Sequence, residues 1–120
     1  MSDQPGAAQL DAPTRCAHVV DVVVGAELVV RGRLDVTSVG AVRDALHRAV
    51  DLGSGDLLVH LDDLELHDAA GLGVLLGAHR RARLAGRRLV LVGVPGRLER
   101  LIRHTRLHRV LVRGEAPVSA

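Results

Sequence analysis

The densest run of residues able to do chemistry is Leu66 to His79, which reads L-H-D-A-A-G-L-G-V-L-L-G-A-H. His67 and Asp68 stand side by side where an apolar run gives way to a helical pattern. Asp68 occupies the place of a helix N-cap, where its carboxylate can accept a hydrogen bond from a free N–H of the first turn. Those donors, with the positive end of the helix dipole, favour any anion at Asp68 to Gly71, a phosphate included. A phosphate cannot be attached there covalently, because Ala69 and Ala70 carry no hydroxyl.

Other constellations are weaker. Asp62, Asp63, Glu65 and Asp68 have the right type for acid–base work, but no nucleophile or metal-ligand set accompanies them, and a solvated loop explains them. Seven histidines raise the question of a metal. His104 and His108 have i, i+4 spacing, yet the pair straddles an expected helix end and no cysteine pair exists. His60 alternates within an apolar strand and reads as a hydrogen-bonded, half-buried side chain. Gly71 and Gly73 do not make a phosphate loop, since the G-x-G-x-x-G spacing fails at Leu76. The chain has no Lys; all 16 basic residues are Arg. Schiff-base chemistry and a P-loop lysine are therefore excluded. No catalytic residue, metal or cofactor is expected.

Composition narrows the class further. At 120 residues, with 48% hydrophobic and 25% charged residues, the chain fits one globular domain. It has no Phe, Trp or Tyr. The core must be built from Val, Leu, Ile and Ala, and base stacking on aromatic platforms is not available. Residues 1–78 hold five Arg against twelve acidic residues, a net −7; residues 79–120 hold eleven Arg against two Glu, a net +9. The Arg-rich third could meet phosphates of a nucleic acid, but without aromatics or a helix-turn-helix pattern solvated helix faces explain it better. The one cysteine, Cys16, cannot form an internal disulfide and fits a reducing compartment. The N-terminal stretch lacks the basic and apolar regions of a signal peptide. The apolar run Ala69 to Ala78 is too short to span a bilayer. A cytoplasmic protein is expected.

The elements that must position the run are legible as an α/β pattern. Residues 1–16 read as a mobile tail, 17–113 as the domain and 114–120 as a loose end. His18 to Val24 and Glu27 to Gly32 read as strands joined at Gly25-Ala26 in a hairpin. Arg33-Leu34-Asp35 is expected to leave the sheet, and Thr37 or Ser38 to cap the next helix. Val39, Val42, Leu46, Ala49 and Val50 make one apolar stripe over a helix from Val39 to Leu52. Leu57 to Leu61 reads as a central strand buried on both faces, followed by an acidic step to Glu65. A second helix runs from about Ala69 to Leu84 or Ala85. Its stripe Leu72, Leu75, Leu76 and His79 reads most simply as core, while Gly71, Leu72, Val74 and Leu75 remain open as docking residues. A strand at Arg88 to Val92, a helix from Arg97 to about Arg103 and a strand at Leu107 to Val112 complete a mixed sheet of about five strands. The right-handed crossover rule puts the helices mainly on one face.

These residues carry a resemblance. G-R-L-D at Gly32 to Asp35, L-V-H-L-D-D-L-E-L-H-D-A-A-G-L-G-V-L-L at Leu58 to Leu76, and G-R-R-L-V-L-V-G-V-P at Gly86 to Pro95, followed by the R-L-I-R helix, resemble a STAS domain. Such domains occur in sulfate transporters and anti-sigma factor antagonists. The similarity covers about Val19 to Val112 and is greatest to the free-standing bacterial antagonists (anti-anti-sigma factors).

The resemblance implies a partner-switching protein of transcription regulation rather than an enzyme. In that family the unphosphorylated antagonist binds an anti-sigma factor, usually a serine kinase, and a sigma factor is freed. The kinase then phosphorylates a Ser or Thr directly after the motif aspartate, and the added charge disrupts docking. Here that position is Ala69. By the same resemblance Asp35 matches the aspartate of the strand-to-helix loop near the switch, Asp68, Gly71, Leu72 and Gly73 match the motif, and Ala69 and Ala70 lie at the partner-binding face; His67, beside Asp68, reads either as a partner contact or as a surface-loop histidine. Three readings follow from the missing hydroxyl: a constitutive antagonist, a non-phosphorylatable scaffold, or a regulator of another partner such as a transporter ATPase. A homodimer through a strand edge or the helix start is compatible with all three.

Overall fold

The computed structural model describes residues 15–66 and 69–114. Its elements are strands β1 (His18–Val23) and β2 (Glu27–Leu34), helix α1 (Val39–Leu52), strands β3 (Leu57–His60) and β4 (Leu64–Leu66), helix α2 (Ala69–Leu84), strand β5 (Leu89–Val92), helix α3 (Gly96–His104), a single 3-10 turn (Leu107–Arg109) and strand β6 (Val112–Gly114). β1 and β2 form an antiparallel hairpin. β2, β3, β5 and β6 then pair in parallel, in that order. The order always advances in one direction, so right-handed crossovers place α1, α2 and α3 on the same face.

Burial follows from that arrangement. Paired residues share a face, and the sets Leu28, Val59, Leu91 and Leu57, Leu89 are buried under the helices. Facing them are Val42, Leu46, Ala49 and Val50 of α1, Leu72, Leu75, Ala78 and Ala82 of α2, and Leu98 and Ile102 of α3. Each large aliphatic side chain hidden this way contributes roughly 1.5–3 kcal/mol. The opposite face is only partly covered. Leu58 and His60 are half-buried there, so β3 is not buried on both faces as its composition implied. His60 Nε2 meets Glu27 Oε2 at 2.5 Å across the β2–β3 pair.

Several expectations need correction. β2 does not leave the sheet at Arg33; it runs on to Leu34 because a sixth strand, β4, pairs with its far end. The acidic step after β3 therefore contains a strand, Leu64-Glu65-Leu66, with Leu64 buried and Glu65 exposed. The segment at Leu107 to Val110 is not a strand. Arg106 adopts φ 64°, and the Leu107 carbonyl accepts N–H bonds from Val110 and Leu111, which closes a turn before β6. Arg15 and Cys16 are not free tail: Arg33 N–H donates to Arg15 O at 2.6 Å, and Cys16 bridges Arg33.

The amino ends of β3 and β5 are tied by Arg87, a buried guanidinium with 5% exposure. Its Nη1 donates to Ala49 O (3.0 Å) and Val50 O (2.9 Å), the last-turn carbonyls of α1. Its Nη2 reaches Gly25 O at 2.5 Å in the hairpin turn and Ser54 O at 3.3 Å, and Nε reaches Gly55 O at 2.9 Å. Unsatisfied carbonyls at a helix end carry partial negative charge, so the cation needs no carboxylate. Gly25, at φ 75°, makes the turn, and a Cβ on Gly53 would overlap the Gly25 carbonyl. Arg87→Met should cost about 3 kcal/mol in urea denaturation, because several buried acceptors lose their donor together. Arg87→Lys should recover only part, since an ammonium lacks the planar fork.

His79, on the buried face of α2, has an Nδ1 with no hydrogen-bond partner. Burial holds its imidazole below the usual histidine pKa, and the charges of Arg83 and Arg80 add to this. The folded state then binds the proton less tightly than the unfolded chain. Its contribution to stability is complete above the unfolded value, roughly pH 6.5, and is lost as pH falls from there through the lowered folded value. Urea midpoints should fall between about pH 7.5 and about pH 5.5, and the fall should shrink in His79→Gln.

Candidate functional site

The carboxyl ends of β2 and β4 lie side by side. Leu34 and Leu66 are register partners in this parallel pair. Gly71, in the first turn of α2, packs directly on both: a Cβ there would overlap the Leu66 side chain and approach Leu34 Cδ2 to 2.9 Å. The missing side chain is what lets the helix start settle onto the strand ends. The loop after β2 and the start of α2 thus leave the sheet as neighbours.

The loop is tied down by Asp35. Its Oδ1 accepts from Thr37 N at 2.9 Å and from Thr37 Oγ1 at 2.6 Å, and its Oδ2 accepts from Arg33 Nε at 3.0 Å. The Thr37 hydrogen bonds, with the Arg33 charge, hold the Asp35 carboxyl below the usual range. Ser38 stands at the N-cap position of α1 but makes no side-chain cap bond. Its buried hydroxyl instead donates to Arg33 O at 2.9 Å and accepts from Asp35 N at 3.2 Å. Hydroxyls expected to cap the helix thus brace the loop that presents Asp35.

His67 and Asp68 lie outside the described residues. Ala69 and Ala70 are exposed at the start of α2. Gly71, Leu72, Val74 and Leu75 are buried, the last three within the hydrophobic core, which fits the core reading of this stripe, and Gly71 packs on Leu34 and Leu66. What α2 offers outward at this end is Ala69, Ala70 and Gly73. One residue escaped sequence reasoning altogether. Val36 is 71% exposed at the tip of the Asp35 loop, an apolar side chain presented to solvent. Nothing in V-T-S marks it, since a lone Val between polar residues belongs to no periodic pattern. A cleft of about 210 Å³ lined by Leu64, Glu65, Leu66, Pro95, Arg97 and Leu98 lies on the same edge, where β4 faces the start of α3.

Among the described residues no group of three His, Cys, Asp or Glu could hold a metal ion. Among them, too, no helix is long and apolar enough to cross a membrane.

The fold is that of a small α/β domain, and the chain belongs to the STAS domain family, whose model matches residues 19–119. Among its relatives is an anti-sigma-B factor antagonist of Staphylococcus aureus (strain NCTC 8325 / PS 47). It is 31% identical over 81 residues, which cover 68% of this chain and 75% of the relative. The fold is shared with the anti-sigma factor antagonist SpoIIAA in its unphosphorylated form, at TM-score 0.66 and 19% identity over 84% of this chain and 88% of that one. The phosphorylated form of SpoIIAA, a Bacillus cell fate determinant, aligns at TM-score 0.62 and 19% identity over 84% and 91%. A putative antagonist from Thermotoga maritima aligns at TM-score 0.66 and 18% identity over 82% and 85%.

The Asp35 network yields a local prediction. Asp35→Ala should speed amide exchange at Thr37 several-fold while leaving amides of α2 and β5 protected. Unchanged exchange at Thr37 would mean that the backbone bonds from Ser38 and Val39 to Asp35 O hold the loop unaided.

Proposed function

We propose that this chain is an anti-sigma factor antagonist that docks through the Asp35 loop and the start of α2, and that phosphorylation does not switch it. The observation that carries this reading is the pair of exposed methyl side chains, Ala69 and Ala70, beside the braced Asp35 loop. A phosphoryl group at this helix start would bring about two negative charges and a hydration shell into the contact. With methyl groups there, the helix start itself stays small and uncharged. The partner is an anti-sigma factor of the serine-kinase type, and its capture frees a sigma factor. Val36 supplies an apolar contact at the rim of this face, and Asp35 a fixed negative one. Sequence alone also allowed a scaffold or a transporter-ATPase regulator; the antagonist relatives support the first reading over those.

The test uses the cognate anti-sigma kinase with ATP. The wild-type chain should remain unmodified at residue 69, and Ala69→Ser should become a substrate. Ala69→Asp should weaken kinase binding by about tenfold or more, in proportion to the buried charge. Phosphate on the wild-type chain at Thr37 or Ser38, or undiminished binding of the Asp variant, would overturn the reading.

A further inference from the structure

The far end of α2 carries a second surface, which the antagonist reading does not use. A groove of about 570 Å³ is lined by His79, Arg80, Arg83, Leu84 and Val110. It lies roughly 20 Å along the helix from Ala69, at 1.5 Å per residue. Several other arginines of the Arg-rich third are committed to acids. Arg81 of the same helix is held by Asp51 of α1 through bonds of 3.1 and 2.7 Å, and Arg88 is held by Asp56 at 2.7 Å. Arg103 and Arg113 both bind Glu99. Arg80 and Arg83 have neither an ion pair nor a hydrogen bond among the described residues, and both are exposed.

Between them the groove exposes apolar surface. Leu84 is 90% exposed and Val110 41%. Compensating the α2 dipole explains a cation in the last turn, but it explains neither an exposed Leu nor its pairing with Val110 from the turn before β6. An apolar floor rimmed by unpaired guanidinium groups has the complement of an acidic segment bearing an apolar anchor. Arginine forks match carboxylates in geometry as well as charge. The groove's open, shallow form suits a chain laid across it.

We propose that this groove is a second docking surface, separate from the start of α2, which takes an acidic segment of a partner protein with a Leu-like anchor residue. Leu84 and Val110 receive the anchor, and Arg80 and Arg83 clasp flanking carboxylates. The two ends of α2 then serve two partners, and the chain can hold both at once.

The test is fluorescence anisotropy of the purified protein with a panel of short labelled Glu/Asp-rich peptides, each carrying one Leu. Two matched controls replace the acids by Lys or the Leu by Ser. Saturable binding of acidic Leu peptides is expected, weakened by about tenfold or more in the Arg80→Glu, Arg83→Glu double variant. Leu84→Ser should also weaken it, and Ala69→Asp should not. The three groove side chains are exposed, so these variants keep the fold, which matching circular dichroism would verify. No saturable binding across the panel, equal binding of the Lys peptides, or unchanged affinity in the double variant would overturn the proposal. So would loss of binding to phosphatidylglycerol vesicles in the double variant with no peptide binding, which would make the groove a membrane contact.

Discussion

The structure depends on one buried cation. Arg87 places its guanidinium among the last carbonyls of α1, the hairpin turn at Gly25 and the loop before β3. Each of those carbonyls is at an element's end, where no neighbour in helix or sheet can donate to it. A single planar group answers them together. No acid is needed, because the helix end supplies the countercharge. The cost of leaving these acceptors dry makes this the corner on which α1, the β1–β2 hairpin and β3 are set. An arginine-only composition suits such a role, since lysine lacks the fork.

With the amino ends of the parallel strands fixed, the opposite end is free to present loops. There the constraint is space. Leu34 and Leu66 pair in register, and Gly71 rests against both. The start of α2 is thereby drawn beside the Asp35 loop, which Arg33, Thr37 and Ser38 brace from within. The resulting face combines a fixed carboxylate, an exposed Val36 and two methyl groups. It carries the Asp35 carboxylate, while α2 ends in the exposed arginines Arg80, Arg81 and Arg83. The charge asymmetry of the sequence thus becomes a polarity along α2, acidic where the helix begins and basic where it ends.

Long periodic segments were legible in the sequence. The stripe Val42, Leu46, Ala49, Val50 predicts α1 with the bounds observed, because burial on one helix face leaves a regular trace. Short elements were not. β4 is three residues long, and its Leu64-Glu65-Leu66 alternation is masked by the adjoining Asp62 and Asp63. The turn at Leu107 to Arg109 reads as strand until the left-handed Arg106 is known. At the site, Ala69 and Asp35 were singled out only through the resemblance, since neither belongs to a periodic pattern. The burial of Leu72 and Leu75 follows from the helix period, but that of Val74 does not, since the period alone does not say which neighbour covers a residue off the stripe. Arg87 was hidden for a similar reason: next to Arg88 in sequence, it looks identical, and only the chain ends gathered around it separate a buried cation from a solvated one.

The most direct measurement is hydrogen exchange on the chain bound to the anti-sigma factor isolated with it from its native cells. Docking through the carboxyl ends of β2 and β4 requires new protection at Val36 to Ser38 and Ala69 to Gly73, with the partly open sheet face around Leu58 and His60 unchanged. Protection confined to that sheet face, with the Asp35 loop exchanging as in the free chain, would contradict the account.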